Sequence, residues 1–551
     1  MQPTQHCITR RALLSGLAAT AGAAVLAACG GSSTTSPTQS SGSTGATPAG
    51  VATSAAAKPT SASGSAVASA APSGTADFAI PAAAVKLPTD KVDFHWVDSG
   101  DVKAFFWNAF FPAYQKAHPN IAVQYDALPW NEIAKVVPLG VQNGNAPDVF
   151  QIPLALTAGQ AVAQGWVQPL DDVVPDFANW KKGFPVGSFA TGVTDFNGKT
   201  YQLPFTTNKR HDLLLYNVDY LKQAGIDPQA KRLTWDEFRA VAKKLTQQGA
   251  GKYYGTIIGG NQTNQWEGFI RNLAQMAGAP GSNQSGLQVD INYKTGEYNY
   301  TADQYLAAID LLLGMKADGS IFPGSANLNA PQARAQMPQG SAGMMLQGIW
   351  NIPQWTHDNP TYNFDIADLP VPNTGTPLPL SYGPGGGNPL YVYAKTKNAP
   401  IAGDIFHYLG TAEGQTQWAT ITGGSDPPNF PQVIEQAQVD PRARKALGIF
   451  GQTMHLAPSA NVRNPDWSQA ELEKKAITPD FGQLLQGIYT GQVSDPKKAM
   501  QDLKDRSNQE LDRALKAAQA KGAKVSRDDL VFPNWDPMKD YTDADYAALK
   551  K

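Results

Sequence analysis

Cysteine is nearly absent from this sequence of 551 residues, and its two cysteines, Cys7 and Cys29, both lie close to the start. The chain after Cys29 therefore has no thiol for a disulfide or for thiol chemistry. Charge is scarce as well, at 16% of residues with a formal net charge of −2, which gives no basic face to bind nucleic acid. After Cys29 no segment approaches the run of about 18 apolar residues that a membrane-spanning helix needs. We expect neither a nucleic-acid partner nor a membrane-spanning segment there.

The start of the chain has the pattern of an export signal. Arg10 and Arg11 precede a weakly apolar stretch at residues 12–28, which is typical of a cleaved secretory signal peptide. Leu26-Ala27-Ala28-Cys29 resembles a bacterial lipobox, in which Cys29 becomes the lipidated first residue of the mature protein. An ordinary signal peptide with a chance cysteine is the alternative. The paired arginines also resemble a twin-arginine export signal, with the general export route as the alternative. We expect an exported protein, lipid-anchored to the cell membrane and facing the extracellular or periplasmic side.

A polar, low-complexity segment follows the predicted anchor. Residues 30–76 are almost entirely Gly, Ser, Thr, Ala and Pro, and Lys58 is the only charged residue before Asp77. Such a composition buries too little apolar surface to offset the entropy of ordering. A flexible chain of about fifty residues spans roughly 40 Å. We predict a disordered linker at residues 29–85 that tethers a folded body.

That body alternates between strand-like and helix-like patterns. Apolar periodicity predicts strands at 92–96, 121–125 and 148–152, with a helix at 105–117. Strands separated by helices predict an α/β fold with parallel sheets covered by helices on both faces. From residue 86 onward there is enough chain for two lobes, because single cores stop growing near about 250–300 residues.

Local signals place further elements and a first candidate site. Thr234 and Glu237 have capping-box spacing at the start of an amphipathic helix. Ligands of parallel sheets bind in crevices at the carboxyl ends of strands. The loop after Trp96, the loop around Trp130 and the turn after Gln151 are therefore candidate walls of one site.

A family resemblance runs through much of the chain. Its motifs are individually weak but follow one another in a fixed order, at residues 111–121, 144–149, 165–171, 197–204, 216–217, 224–226, 234–238, 340–350, 369–372 and 383–388. Together they resemble the family 1 extracellular solute-binding proteins of ABC importers, which are maltose-binding-protein-like sugar binders. The resemblance covers most of residues 91–515. The long linker, the stretch at 427–479 and the tail from residue 525 depart from it, and the sequence assigns them no role.

The resemblance implies a two-lobed, periplasmic-binding-protein-like α/β fold with a ligand cleft and a hinge between the lobes. By similarity, residues 86–206 and 366–412 form the first lobe, and residues 207–365 and 413–551 form the second. Such a protein captures a carbohydrate or a related polar small molecule and delivers it to ABC permease subunits. We expect a monomer. A secreted carbohydrate-active enzyme and a sensor lipoprotein that presents its ligand to a receptor are the alternatives.

Aromatic residues are the first candidates for sugar contacts, because flat rings cover the apolar faces of a pyranose at little entropic cost. Trp350 aligns with the family position whose tryptophan stacks on the ligand. Trp266 lies where a second-lobe pocket aromatic is expected, and Trp96, Asp98 and Trp130 lie in first-lobe loops. For each of them a core or loop-packing role is the alternative.

Polar residues and glycines complete the predicted site. Gln151 ends a strand at the crevice. Arg210 and Asp212 lie near the crossover strand, where the resemblance implies an acidic ligand contact. Arg210 departs from that pattern: it could bind an acidic sugar or a phosphate ester bidentately, or pair with Asp212 across the hinge. Gly385 and Gly386 allow close approach of the backbone to a ligand, with a plain turn as the alternative.

The sequence contains no complete motif of a catalytic or cofactor-binding site among those we considered. Gly198-Lys199-Thr200 is not a phosphate-binding loop, since the first glycine of that motif would fall at Val193. Residues 383–387 lack the third glycine of a dinucleotide fingerprint, no histidines have zinc-helix spacing, and no Gly-x-Ser-x-Gly elbow occurs. Carboxylates are numerous enough for a glycosidase pair, but no spacing singles one out. We expect no enzyme activity, no cofactor and no metal.

Overall fold

Two separate β-sheets, each covered by helices, organise the computed structural model of this protein. It describes residues 78, 80–100, 102–185, 187–279, 281 and 287–549, all within one unit of the chain, Ser69–Lys551. The predicted signal peptide at residues 1–28, the predicted lipidation site Cys29 and most of the predicted linker at 29–85 lie outside the described residues.

The strands are short. They are β1 (Val92–Asp98), β2 (Ile121–Ala127), β3 (Val149–Phe150), β4 (Asp195–Phe196), β5 (Lys199–Thr200), β6 (Thr206–Thr207), β7 (Leu213–Asn217), β8 (Tyr254–Thr256), β9 (Ile291–Asn292), β10 (Glu297–Tyr298), β11 (Ala342–Gln347), β12 (Phe364–Ala367), β13 (Leu380–Tyr382), β14 (Gly386–Gly387), β15 (Tyr391–Val392) and β16 (Met454–Leu456).

Helices make up more of the chain. They are α1 (Lys103–Ala117), α2 (Trp130–Asn143), α3 (Ala158–Ala163), α4 (Phe177–Lys182), α5 (Val218–Gln223), α6 (Trp235–Gly249), α7 (Asn264–Met276), α8 (Asp303–Ala317), α9 (Ala330–Gln336), α10 (Asn351–Asp358), α11 (Ala399–Leu409), α12 (Ala412–Ile421), α13 (Pro441–Thr453), α14 (Ala460–Arg463), α15 (Trp467–Glu473), α16 (Phe481–Thr490), α17 (Pro496–Ala520) and α18 (Asp543–Ala548). Single turns of 3-10 helix occur at Leu170–Asp172, Pro431–Glu435 and Arg527–Leu530.

The first sheet has the strand order β15-β3-β1-β2. β1 pairs in parallel with both β2 and β3, while β15 is antiparallel to β3. The predicted strands at 92–96 and 121–125 are confirmed, and both extend two residues further. Gln151 follows β3 directly, and Trp130, the first residue of α2, comes three residues after the end of β2. Both therefore lie at the carboxyl edge of this sheet, where ligands of parallel sheets bind.

The second sheet has the strand order β12-β7-β11-β8 and is mixed. β7 is antiparallel to both of its neighbours, and only β11 and β8 are parallel. The parallel arrangement that we predicted therefore does not hold for β7. The predicted capping box at α6 is confirmed: the Glu237 amide donates to Thr234 Oγ1 at 3.2 Å, and the Thr234 amide donates to Glu237 Oε2 at 2.9 Å.

Each sheet has its own hydrophobic core, and we call the two bodies the first and the second lobe. Phe94 and Trp107 are central to the first core, and Leu214 and Phe238 to the second. The first core reaches further along the chain than we predicted, since Trp418, Phe430 and Val433 pack into it. The cause is local: only residues 410–411 separate α11 from α12, so α12 stays on the first lobe. Residues of the 413–437 stretch, which we assigned to the second lobe, thus pack with the core of the first sheet.

Both ends of the described chain pack on the lobes. Phe78 and Ile80 lie against the first core, and the Ala84 amide donates to Asp404 Oδ1 at 2.7 Å, so ordered structure begins inside the region that we predicted as linker. The C-terminal tail, residues 525–549, packs Phe532 and Tyr541 into a small core with two residues of the second lobe. Among the residues that the structure describes, no helix is long and apolar enough to cross a membrane.

Candidate functional site

A cavity of about 480 Å³ lies between the two lobes, within the range of about 300–1,000 Å³ that is usual for small-molecule sites. The first lobe contributes Trp130, Gln151 and Phe196 to its wall, and the second lobe contributes Asn461 and Glu471. Of the ten residues that we predicted, the structure brings four to this cavity, namely Trp130, Gln151, Arg210 and Gly386.

Gln151 is the most informative of these four. The residue is only 1% exposed, and its Oε1 accepts a hydrogen bond from the Ser99 amide at 2.8 Å. Its Nε2 is buried and has no hydrogen-bond partner within the described part of the chain. A buried donor without a partner costs about 1–3 kcal/mol, so this N–H group is suited to an acceptor oxygen on a ligand.

Glycines at the cavity edge allow the backbone segments between the lobes to pack closely. β14, which is Gly386–Gly387, pairs antiparallel with β6. A Cβ on Gly386 would lie 2.4 Å from the Cβ of Pro204, and one on Gly387 would lie 2.7 Å from Thr206 Oγ1. Gly385 has φ +92° and lies beside the cavity lining without belonging to it. The need for glycine at 386 therefore comes from packing against Pro204.

Arg210 is a charged residue of the cavity wall, and it pairs with Asp426 instead of Asp212. Its Nη1 donates to Asp426 Oδ1, and Lys103 Nζ lies 3.8 Å from Asp426 Oδ2. Asp426 and Lys103 are both buried. Arg210 does not pair with Asp212 in this structure, because the carboxylate that reaches its guanidinium comes from the segment after α12.

Trp350 lies behind Arg210 rather than on the cavity surface. The Arg210 guanidinium carbon is 5.6 Å from the centroid of the Trp350 ring, at cation–π distance. The indole is half-buried, and its Nε1 is buried without a hydrogen-bond partner among the described residues. Gly348 permits this ring position, since a Cβ there would lie 2.1 Å from the ring.

Two of the predicted tryptophans are core residues. Trp96 is 0% exposed, with its ring 4.4 Å from that of Trp107. Trp266 is also fully buried: it donates from Nε1 to the Gly260 carbonyl at 2.8 Å, and its ring lies 4.4 Å from that of Tyr489. Both rings fill apolar space inside a lobe, and neither reaches the cavity.

The two predicted aspartates are likewise enclosed away from the cavity. Asp98 accepts hydrogen bonds from Trp107 Nε1 at 2.7 Å and Tyr125 Oη at 2.9 Å, and burial raises its pKa. Asp212 accepts from Asn272 Nδ2 at 3.1 Å, and burial raises its pKa to about 6. These contacts hold each carboxyl within its own lobe.

The second-lobe wall contains residues that the sequence did not single out. Gln288, Asn461 and Glu471 line the cavity and are buried, and Ser468 of α15 lines it too. Gln288 Nε2 donates to Asn461 Oδ1 at 2.6 Å, which joins two of them in one network. Three of the four lie in the stretch at 427–479, whose departure from the family pattern was the only signal that sequence offered.

The two lobes touch each other across the cavity. Asn461 Nδ2 donates to the carbonyl of Gly192, and Gln160 Nε2 of α3 donates to the Glu471 carbonyl at 3.4 Å. These bonds join residues 269 and 311 positions apart in the chain. A cavity enclosed by two lobes that meet over it is suited to hold a small molecule.

Comparison with known proteins agrees with this geometry. The sequence profile of the bacterial extracellular solute-binding proteins matches residues 96–416, which is more than half of the chain. This chain belongs to that family. Members of the family are binding proteins rather than enzymes. The resemblance that the ordered motifs predicted is thereby confirmed.

Relatives and solved structures extend over most of this solute-binding protein. A putative binding protein of Brucella abortus is 24% identical over 392 residues, which cover 71% of this chain and 86% of that protein. The arabinooligosaccharide-binding protein of Bacillus subtilis is 21% identical over 423 residues, which cover 73% of this chain and 91% of that protein. An ABC transporter solute-binding protein of Thermotoga lettingae, bound with α-D-tagatose, aligns with a TM-score of 0.60 at 18% identity, covering 77% of this chain and 100% of that one. The predicted two-lobed α/β fold is confirmed.

Proposed function

We propose that this solute-binding protein captures a neutral carbohydrate by closure of its two lobes and delivers it to the permease subunits of an ABC importer. The observation that carries the proposal is a cavity between two lobes whose wall combines aromatic rings with buried side-chain amides. Rings such as Trp130 and Phe196 suit the apolar faces of a sugar, and the free Nε2 of Gln151 suits a hydroxyl oxygen. The sugar-binding relatives support the same ligand class.

The charge balance of the cavity favours a neutral ligand over a phosphate ester or a sugar acid. Among the described residues that line it, Arg210 is the only arginine or lysine, and Glu471 is the only aspartate or glutamate. Asp426 accepts from Nη1 of Arg210 and neutralises this guanidinium, so the wall already supplies its counter-charge. Glu471 repels anions in its ionised form. A neutral polyhydroxylated ligand needs no counter-charge from this wall.

Closure is the step that couples binding to transport. A ligand that touches both lobes stabilises the closed state, and it shifts the equilibrium only by its preference for that state. The contacts from Asn461 to Gly192 and from Gln160 to Glu471 accompany closure in this proposal. The lipid on Cys29 keeps the monomeric binding protein close to the permease, outside the membrane. No bond of the ligand is broken.

A ligand screen tests the proposal. Thermal shift and then calorimetry are run with neutral mono-, di- and oligosaccharides, sugar acids and glycerol phosphates. Binding of a neutral sugar raises the apparent stability by mass action, and we expect it to be stoichiometric and without turnover. Chromatography of the recovered sugar measures turnover. Selective binding of anions, or conversion of the sugar to products, would overturn the proposal.

A further inference from the structure

One wall of the cavity is built by a segment that lies outside the residues matching the family. The match ends at residue 416, whereas Met454, Asn461, Ser468 and Glu471 of the second-lobe wall come later in the chain. They belong to residues 454–473, which we call the wall segment. It runs from β16 through α14 to α15. The wall segment therefore lies outside the residues that the family profile matches.

Glu471 is an unusual group for a cavity wall, because it is a carboxyl only 7% exposed. The hydrogen bonds that it accepts from described residues all end on Oε1: from Trp467 Nε1 at 3.2 Å, from the Leu287 amide at 3.3 Å and from Gln288 Nε2 at 3.4 Å. Three donors fix the orientation of the carboxyl group, and the second oxygen, Oε2, is left to accept a hydroxyl of a ligand. A buried acceptor of this kind discriminates strongly, since a ligand without a matching donor leaves it unpaired.

Asn461 is held just as firmly. Its Oδ1 accepts from Gln288 Nε2 at 2.6 Å, and Gln288 Oε1 in turn accepts from the Ala460 amide at 2.7 Å. These bonds tie α14 to the second lobe. The same asparagine donates to the Gly192 carbonyl of the first lobe, so the wall segment contacts the opposite lobe where the cavity closes.

The C-terminal tail forms hydrogen bonds with the wall segment. The Leu456 amide donates to Asp540 Oδ1 at 2.7 Å, and the Ser459 amide donates to Tyr546 Oη at 2.8 Å. Arg463 Nη1 donates to the Asp528 carbonyl at 2.6 Å. Ser459 is 0% exposed, so its amide depends on the tail for a partner. The tail thus contacts the wall segment near its start, before α14 and at the end of α14.

From these contacts we infer that the wall segment, positioned by the C-terminal tail, selects the ligand: Glu471, Asn461 and Ser468 contact it, and Tyr546 acts as a positioning residue. The inference rests on the proposed function for the nature of the ligand. It assigns a role to the two parts of the chain that the family resemblance left without one, the stretch at 427–479 and the tail.

Replacing Glu471 by Gln tests the contact. Glutamine keeps Oε1 as an acceptor for the three donors, but it presents an amide where Oε2 stood. We expect affinity for the neutral sugar identified in the screen to fall about tenfold or more. At pH 8 the ratio of the affinities for that sugar and for its sugar-acid analogue should become smaller, since the variant lacks the Glu471 carboxylate that repels the acid. Glu473→Gln, the same change on α15 at a residue that pairs with Lys521, is the matched control and should bind as wild type does. Unchanged affinity and selectivity in Glu471→Gln would overturn the contact.

Two changes of tyrosine to phenylalanine test the role of the tail. Tyr546→Phe removes the acceptor of the Ser459 amide, whereas Tyr541→Phe removes only bonds within the tail, to Asn534 Oδ1 and the Asp545 carbonyl. If the tail contributes to stability alone, both variants lower the Tm but bind the ligand equally well. We expect Tyr546→Phe, but not Tyr541→Phe, also to weaken ligand affinity several-fold at a temperature well below both Tm values. Equal affinities for the two variants would show that the tail does not position the wall segment.

The outcome also separates this inference from the proposed function. If wild-type protein binds a solute other than a carbohydrate, the proposed function fails, and the same four variants are measured with that solute. If wild-type protein binds a neutral sugar and the variants bind it equally well, only the role of the wall segment and the tail is lost. Where Glu471→Gln does not fold, Ser468→Ala at the same wall serves in its place, with the exposed Gln469→Ala of the same helix as its control.

Discussion

Gly192 and Asn461 meet across the cavity so closely that no side chain fits at position 192. The Asn461 amide donates to the Gly192 carbonyl, and a Cβ on Gly192 would lie 2.8 Å from the Cβ of Asn461. Gly192 belongs to the first lobe and Asn461 to the second. The absence of a side chain at one position thus sets how near the two lobes come together.

Replacing Gly192 by Ala should therefore hinder closure. Its φ of +75° adds local strain, so the matched control is Gly198→Ala, which has the same φ and no atom within 4 Å of the added Cβ. Strain of about 1 kcal/mol is common to both variants. We expect Gly192→Ala to bind ligand at least about tenfold more weakly than Gly198→Ala in calorimetry, because the ligand must close the lobes against a clash. Equal affinities would mean that this contact is not part of closure.

Gln151 supplies a second prediction. Gln151→Glu keeps an acceptor for the Ser99 amide but replaces the unpaired Nε2 donor. Removing a donor that a bound ligand uses costs about 1–3 kcal/mol, so the Kd for the sugar should rise by about tenfold to a hundredfold. The exposed Gln247→Glu of α6 controls for the added charge. Wild-type affinity in Gln151→Glu would remove Gln151 from the ligand contacts.

The ion pair at the cavity edge predicts how ligand charge selectivity can be changed. Asp426 neutralises Arg210 and lies near Lys103. Asp426→Asn leaves both cations without their carboxylate, so binding of a sugar phosphate at low salt should strengthen relative to the neutral sugar. The variant should also lose stability, because breaking a buried pair costs about 3–5 kcal/mol.

Asp318→Asn is the matched control for this change, since Asp318 also bridges an arginine and a lysine, Arg239 and Lys243, but at the surface of the second lobe. Calorimetry with both ligands measures the ratio of affinities. The pairing of Arg210 would have no part in charge selectivity if Asp426→Asn and Asp318→Asn gave the same ratio as wild type.

Asp212 predicts a pH dependence of stability. Burial raises its pKa from 3.8 to about 6, so the folded protein binds a proton between these values that the unfolded chain has released. Stability from this group is present below pH 4 and falls as pH rises through 6. Asp212→Asn removes the effect, and at pH 7 it should stabilise the protein by at most about 3 kcal/mol, less where solvent reaches the carboxylate.

Urea unfolding of wild type and variant at pH 4, 5, 6 and 7 measures the difference, which should grow toward pH 7. The exposed Asp310→Asn of α8 gives the baseline for an aspartate without this environment. A constant difference between Asp212→Asn and wild type over this range would show that Asp212 titrates as an ordinary carboxylate.

The proposed anchor gives a further prediction. Cys29→Ala should release the protein from the membrane fraction, because no lipid can then be attached at the lipobox cysteine. Cys7→Ala, in the predicted signal peptide, should leave the protein membrane-bound. Immunoblots of fractionated cells measure both. A Cys29→Ala protein that still fractionates with membranes would contradict lipid anchoring.

Local patterns predicted local structure well. The capping box of Thr234 and Glu237 is confirmed, as are the strands that begin at Val92 and Ile121. Each depends on neighbours within a few residues, which the sequence displays directly. Gln151 and Trp130 were predicted at the cavity for a related reason: each follows a strand whose carboxyl end fixes where it lies.

Predictions that required long-range contacts were less accurate. Trp96 in β1 and Trp266 in α7 are core residues, since the neighbouring sequence does not reveal which ring another element will cover. Arg210 had a nearby carboxylate in the sequence at Asp212, yet its partner is 216 residues away. Glu471 and Asn461 gave no local sign of a site, because three-dimensional packing alone brings α14 and α15 to the cavity.

The sequence by itself determined the family, the alternation of strands and helices, and the scarcity of charge and of thiols, because these follow from residue order and composition. The tertiary structure decided which polar groups converge on the ligand, which tryptophans are buried in a lobe, and which carboxylate neutralises Arg210. The physical reason is that hydrogen bonds and ion pairs act over a few ångströms. Their partners here are chosen by the packing of two lobes and a tail whose residues lie hundreds of positions apart.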